Sequence, residues 1–146
     1  MESQFIAWIT DNGMNAMNIL ELLFSLMVAI LFIQSGVDKL LNWKGEQDYY
    51  KDHFKNSPLK GSVPLLMPII TVSELLAGFL SLIGIFAMIA WGNIDFSILG
   101  MLFACLSIIQ LFFGQRLAKD YAGAATLVPY FLLCAFGLFI FLMEAG

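Results

Sequence analysis

The chain has 146 residues, a formal net charge of −4, 60% apolar residues and 12% charged residues, with a mean hydropathy of +0.86. Soluble proteins average about 45–50% apolar and 25% charged residues, so this chain has too little polar surface for a water-soluble fold and is expected to be an all-α polytopic membrane protein. The acidic balance and the lack of a basic block exclude nucleic acid as a partner and leave the lipid bilayer as the main one.

The opening stretch, MESQFIAWITDNG, carries two acids and no base, so the positive region of a signal peptide is missing. Phe5, Ile6, Trp8 and Ile9 fit a short amphipathic turn at the membrane interface. About 20 apolar residues cross the hydrocarbon core as a helix, and four stretches qualify, at 17–41, 63–90, 96–114 and 121–143. They predict one domain over 1–146, an antiparallel bundle of four transmembrane helices.

The sizeable loop, 42–62, contains Trp43, Tyr49, Tyr50 and Phe54. Rings with an apolar body and a polar tip favour the headgroup level, so an interfacial helix is expected over 46–55, ended by Asn56-Ser57-Pro58. Gly92 and Asn93 supply a tight turn between the second and third spans, and QRLAKD joins the third to the fourth. Pro64 and Pro68 suit the first turns of the second span, and Pro129 is expected to bend the fourth. All seven lysines and arginines fall on the side of the first and third loops, Lys39 at the end of the first span and the other six in the loops themselves. The positive-inside rule then puts those loops in the cytoplasm and both termini outside.

In lipid, helices associate through close backbone approach and interhelical hydrogen bonds. Small residues at helical spacing therefore mark the expected contacts: Ser25, Ala29, Phe32 and Gly36; Thr71, Glu74, Gly78 and Ser81; and Ser97, Gly100, Ala104, Ser107, Leu111 and Gly114.

Polar residues inside the spans define the candidate site. An ionisable residue at the bilayer centre costs roughly 2.5–3.5 kcal/mol, so Glu74 is read as a proton-carrying or ligand-binding carboxyl, with a structural hydrogen bond as the plainer reading. Gln34 and Asp38 share one face of the first span; Ser35 and Lys39 share a neighbouring one. With Glu74 and Gln110 they are expected to converge as a polar cluster, Lys39 serving as the cation for Glu74 or Asp38. Glu21 is expected to reach the outer interface in a structural role. Cys105 and Cys134 are read as buried thiols, a redox pair being the alternative. His53 is expected at the surface. No metal site, phosphate loop or catalytic constellation is found, so no catalytic residues are assigned and no self-sufficient enzyme is expected.

FIQSGVDKL at the end of the first span, the loop with proline near its exit, and ELLAG in the second resemble the DoxX-like family of small bacterial inner-membrane proteins. The matching positions are Phe32, Ser35, Gly36, Lys39, Leu40, Glu74, Leu75 and Gly78. Gln110 stands near a place where many relatives carry histidine. The resemblance implies a multi-pass protein of the bacterial inner membrane with periplasmic termini. It further implies a redox-associated accessory subunit, with other membrane subunits as partners and quinone as the cofactor in view. The alternatives are a stand-alone binder or carrier of a small amphipathic ligand or proton through Glu74, or a structural scaffold.

Overall fold

The computed structural model describes residues 3–11, 13–14 and 16–146. Its helices are α1 (Gln4–Asp11), α2 (Ala16–Leu41), α3 (Trp43–His53), α4 (Val63–Trp91), α5 (Asp95–Leu117) and α6 (Tyr121–Ala145). Four of them, α2, α4, α5 and α6, are long and apolar enough to cross a membrane, and the described residues contain no strand. The protein is an all-α, multi-pass membrane protein.

The spans run antiparallel in a ring, α2 beside α4, α4 beside α5, α5 beside α6, with α6 closing on α2. Small side chains set the spacing. A Cβ added at Gly78 of α4 would lie 2.6 Å from the Ile33 backbone nitrogen of α2. Between α4 and α5, a Cβ at Gly84 or Gly100 would lie 2.8 Å from the backbone nitrogen of Ser97 or Ser81 respectively. The helices therefore touch backbone to backbone, the geometry that lipid-embedded helices use in place of a hydrophobic driving force. Phe32, Met101 and Phe141 fill the core left between these contacts, with Val28, Ala77, Ala104, Ile108 and Cys134 around them. Large apolar side chains such as Leu23, Ile30, Phe86, Phe113, Leu132 and Phe139 point outward, a surface suited to acyl chains and not to water.

The ends of the bundle differ in charge. Alternation of the spans puts all seven basic residues at the end formed by α3 and the α5–α6 turn, here called the basic end. Gly92 at φ +64 closes α4 at the opposite, acidic end, and the N–H groups of Gly92 and Asn93 return to the carbonyls of Met88 and Ala87. At the basic end, Lys119 takes the left-handed conformation in the α5–α6 turn, and Asp120 caps α6 by accepting from the Gly123 N–H at 2.9 Å. Pro68 and Pro129 both lie inside continuous helices. Beside them, the hydroxyls of Thr71 and Thr126 donate to the carbonyls of Met67 and Gly123, as expected where hydroxyl side chains support the backbone around an intramembrane proline.

α3 lies across the basic end. Phe54, just past its last turn, packs over Gly114 of α5, where an added Cβ would be 3.4 Å from the ring. His53 Nε2 lies 2.7 Å from Gln115 Oε1 and 3.7 Å from Asp120 Oδ2. The aromatic loop thus forms a short helix clamped onto the α5–α6 turn, two residues earlier at its end than the aromatic spacing suggested.

Candidate functional site

The close approach at Gly78 brings the last turns of α2 beside α4, one turn from Glu74. There, Lys39 Nζ lies 2.9 Å from Glu74 Oε2 and donates to Oε1 at 3.2 Å. The Ser35 hydroxyl donates to Glu74 Oε1 at 3.0 Å, and Lys39 donates to the Ser35 hydroxyl at 3.0 Å. The side chains of Lys39 and Glu74 are 7% and 1% exposed. The pair is a closed, buried charge cluster, in which each charge depends on the other for its solvation. Oε2 meets the ammonium without hydrogen-bond alignment.

The sequence-derived cluster divides in two respects. Gln34 and Asp38 are exposed, not convergent with Glu74. Each precedes Ser35 or Lys39 by one residue, roughly 100° of helix rotation, and the inward face of α2 is taken by Ser25, Ala29, Phe32, Gly36 and Lys39. Gln110 is also separate from the ion pair. Its Nε2 donates to the hydroxyl of Ser73, the neighbour of Glu74, at 3.5 Å, while its buried Oε1 has no hydrogen-bond partner among the described residues.

Gln110 belongs instead to a cavity of about 300 Å³ between α4 and α5, covered by α3. Apolar side chains, among them Leu66, Met67, Ile70 and Leu111, make up most of its wall, with Tyr50, Gln110 and Gln115 as polar points. Burial, then the charges of Glu46 and Glu74 and the neighbouring Tyr49, push the Tyr50 phenol up to about 12. Tyr50 is therefore a neutral O–H group at physiological pH. The Ser73–Gln110 hydrogen bond ties the neighbour of Glu74 to this cavity. None of Gln34, Ser35, Asp38, Lys39 or Glu74 lines it. The cavity carried no signal in the sequence beyond the aromatic density of α3.

The remaining polar residues are placed as follows. Cys105 and Cys134 are free thiols. Glu21, near the acidic end, is fully buried among its neighbours and held by Asn18 Nδ2 at 3.2 Å. His53 is partly buried against Gln115 and Asp120, a long-range contact with no local sequence signature. No group of three or more His, Cys, Asp or Glu side chains among the described residues has metal-binding geometry.

No family model, curated protein or solved structure matches the chain. It is a multi-pass membrane protein with a buried Lys39–Glu74 ion pair and an apolar cavity beneath α3.

Proposed function

We propose that the protein is a DoxX-like accessory subunit of a redox or respiratory-type membrane assembly, and that it holds a quinone-class amphiphile in the cavity beneath α3. The observation that carries this reading is the cavity itself. Its volume of about 300 Å³ lies at the small end of ligand pockets, which span roughly 300–1,000 Å³. Its walls are apolar with a few polar points, the pattern of sites that orient a ring with oxygen substituents. The Tyr50 hydroxyl and the Gln110 and Gln115 amides provide hydrogen-bonding groups, and the adjoining spans provide a lipid-facing surface for an isoprenoid tail.

In this reading the Lys39–Glu74 pair fixes α2 against α4 behind the cavity and sets the field felt by the ligand. The absence of a catalytic set in the sequence favours a subunit that positions a redox carrier for a partner. By the positive-inside rule the basic end faces the cytoplasm, and in a bacterial inner membrane both termini are periplasmic. The reading of Glu74 as a stand-alone carrier group has less support, because its carboxylate is 1% exposed and already held by Lys39 and Ser35.

The test is purification of the tagged protein from native membranes in mild detergent, followed by solvent extraction and identification of bound quinones and co-purifying subunits. Retained quinone, depleted in Leu111→Trp, supports the reading. A monomer that retains neither quinone nor partner contradicts it.

A further inference from the structure

The wall of the cavity beneath α3 is not exposed evenly. Its exposed residues are Leu66, Ile69 and Phe113, all apolar and all on α4 or α5. On the side of α3, Tyr50 and Phe54 are half-buried and form a roof. Their rings stack with centroids 6.2 Å apart, and His53, edge-on to Phe54 at 5.0 Å, ties the roof to Gln115 at 2.7 Å. The covered side thus faces the water, and the open side faces the bilayer.

The packing of α4 on α5 explains the opening. Toward the acidic end their backbones touch at Gly84 and Gly100. Ser73 and Gln110 still meet at 3.5 Å across the seam. One turn further along α5, Gly114 receives the Phe54 ring, which an added Cβ would meet at 3.4 Å. The ring takes the place of α4 there, and the two spans part around the cavity. Ile69 lies six residues after the start of α4, and Phe113 four residues before the end of α5. At about 1.5 Å per residue they sit about 9 and 6 Å in from the helix ends, level with the join between headgroups and acyl chains.

We propose that the cavity is entered sideways from the lipid leaflet, through the rim of Leu66, Ile69 and Phe113, and that its ligand leaves a hydrocarbon tail in that leaflet. The volume of about 300 Å³ accommodates a ring and not a long isoprenoid chain, so a tailed ligand must extend through an opening. A tail that crosses an apolar rim stays in apolar surroundings throughout. A hydrated ligand would lose its hydrogen bonds to water there. Ile69 and Phe113 therefore select a bilayer-resident amphiphile over a water-soluble ring of the same chemistry. For the identity of the ring the proposal rests on the quinone reading; the route is measured without quinone.

The test uses the full chain in nanodiscs of a phospholipid that carries a diazirine near the carboxyl end of one acyl chain. After photolysis, the labelled residues are mapped by peptide mass spectrometry. Met67 is the reporter, because it lines the cavity yet is 3% exposed. Leu65, two residues away and 68% exposed, is the outward-facing control. The expected result is label at both residues in the unaltered chain. Leu111→Trp, which fills the cavity, and Ile69→Trp, which narrows the rim, should each remove the label from Met67 and leave it on Leu65. A label at Leu65 without one at Met67, or a Met67 label that persists in Leu111→Trp, overturns the proposal. The comparison of Met67 with Leu65 is read on the unaltered chain, so it decides even where a variant fails to fold. Decyl-benzoquinone added to the lipid should then lower the Met67 label, and a tailless anthraquinone sulfonate supplied in the water should not. Lowering by the sulfonate overturns the sideways route. A Met67 label that neither compound lowers supports the route and contradicts the quinone reading, so the two failures are told apart.

Discussion

Lys39 and Glu74 meet at 2.9 Å across the α2–α4 seam, one helical turn from Gly78, where the backbones of the two helices come together. The pair and the glycine form one unit: the close approach shortens the distance the lysine must span, and the ion pair holds the approach in register. The cavity beneath α3 is lined by Met67 and Ile70 of α4, one to two turns before Glu74, so α4 contributes to both.

Gly78→Ala is expected to loosen the seam. The new Cβ would fall 2.6 Å from the Ile33 backbone nitrogen, and backbone cannot move aside as a flexible side chain can. Overpacking of this kind costs roughly 1–3 kcal/mol. Thermal unfolding in detergent followed by circular dichroism should show the loss; a transition unchanged from wild type would mean that α2 and α4 do not touch there.

The buried pair should behave non-additively. Lys39→Met or Glu74→Gln alone leaves a charge buried without its partner, at a cost of about 3–5 kcal/mol. The double variant removes both charges and is expected to recover much of that loss. A double-mutant cycle on thermal or denaturant unfolding gives the coupling energy directly, and simple additivity would show that the two side chains do not interact.

The inward faces were readable in the sequence because their signal is local. Ser97, Gly100, Ala104 and Ser107 recur at helical spacing, and all four are buried. The partnership of Lys39 with Glu74 was also within reach, as a cation and an acid at similar depth. The exclusion of Gln34 and Asp38 was not, since the rotation of α2 about its axis is set by contacts with α4 that no short stretch encodes. The same holds for Glu21 and Glu144, which share Asn18 across a sequence separation of more than 120 residues. The position of Glu21 near the outer end of the first span gave no sign of its burial, which comes from packing of α2 against its neighbours.

Tyr50 should ionise late. Its phenol is pushed up to about 12, first by burial and then by Glu46, Glu74 and Tyr49, against about 10 for a free tyrosine. Because the folded state holds this proton more tightly than the unfolded one, stability linked to Tyr50 is intact below pH 10 and is lost as the pH rises through about 12. An absorbance titration at high pH should show a late step that Tyr50→Phe removes. A titration that Tyr50→Phe leaves unchanged above about pH 11 would contradict the burial of this ring.

Asp120 has a double role, capping α6 through Oδ1 and facing His53 through Oδ2. Asp120→Ala is expected to cost about 0.5–2 kcal/mol, the usual range for a lost N-cap, and to speed amide exchange in α3 by releasing its last turn. Asp120→Asn keeps a capping oxygen and should restore most of the stability. Equal exchange rates in α3 for wild type and Asp120→Ala would show that the α5–α6 turn does not hold α3.

The most direct test of the central claim is photo-crosslinking of the protein in its native membranes with an azido-substituted quinone, followed by peptide mapping. The account expects saturable labelling confined to residues 50–70 and 110–115, competed by unmodified quinone and lost in Leu111→Trp. Labelling spread along the outward faces of the spans, or unaffected by competitor, would contradict it.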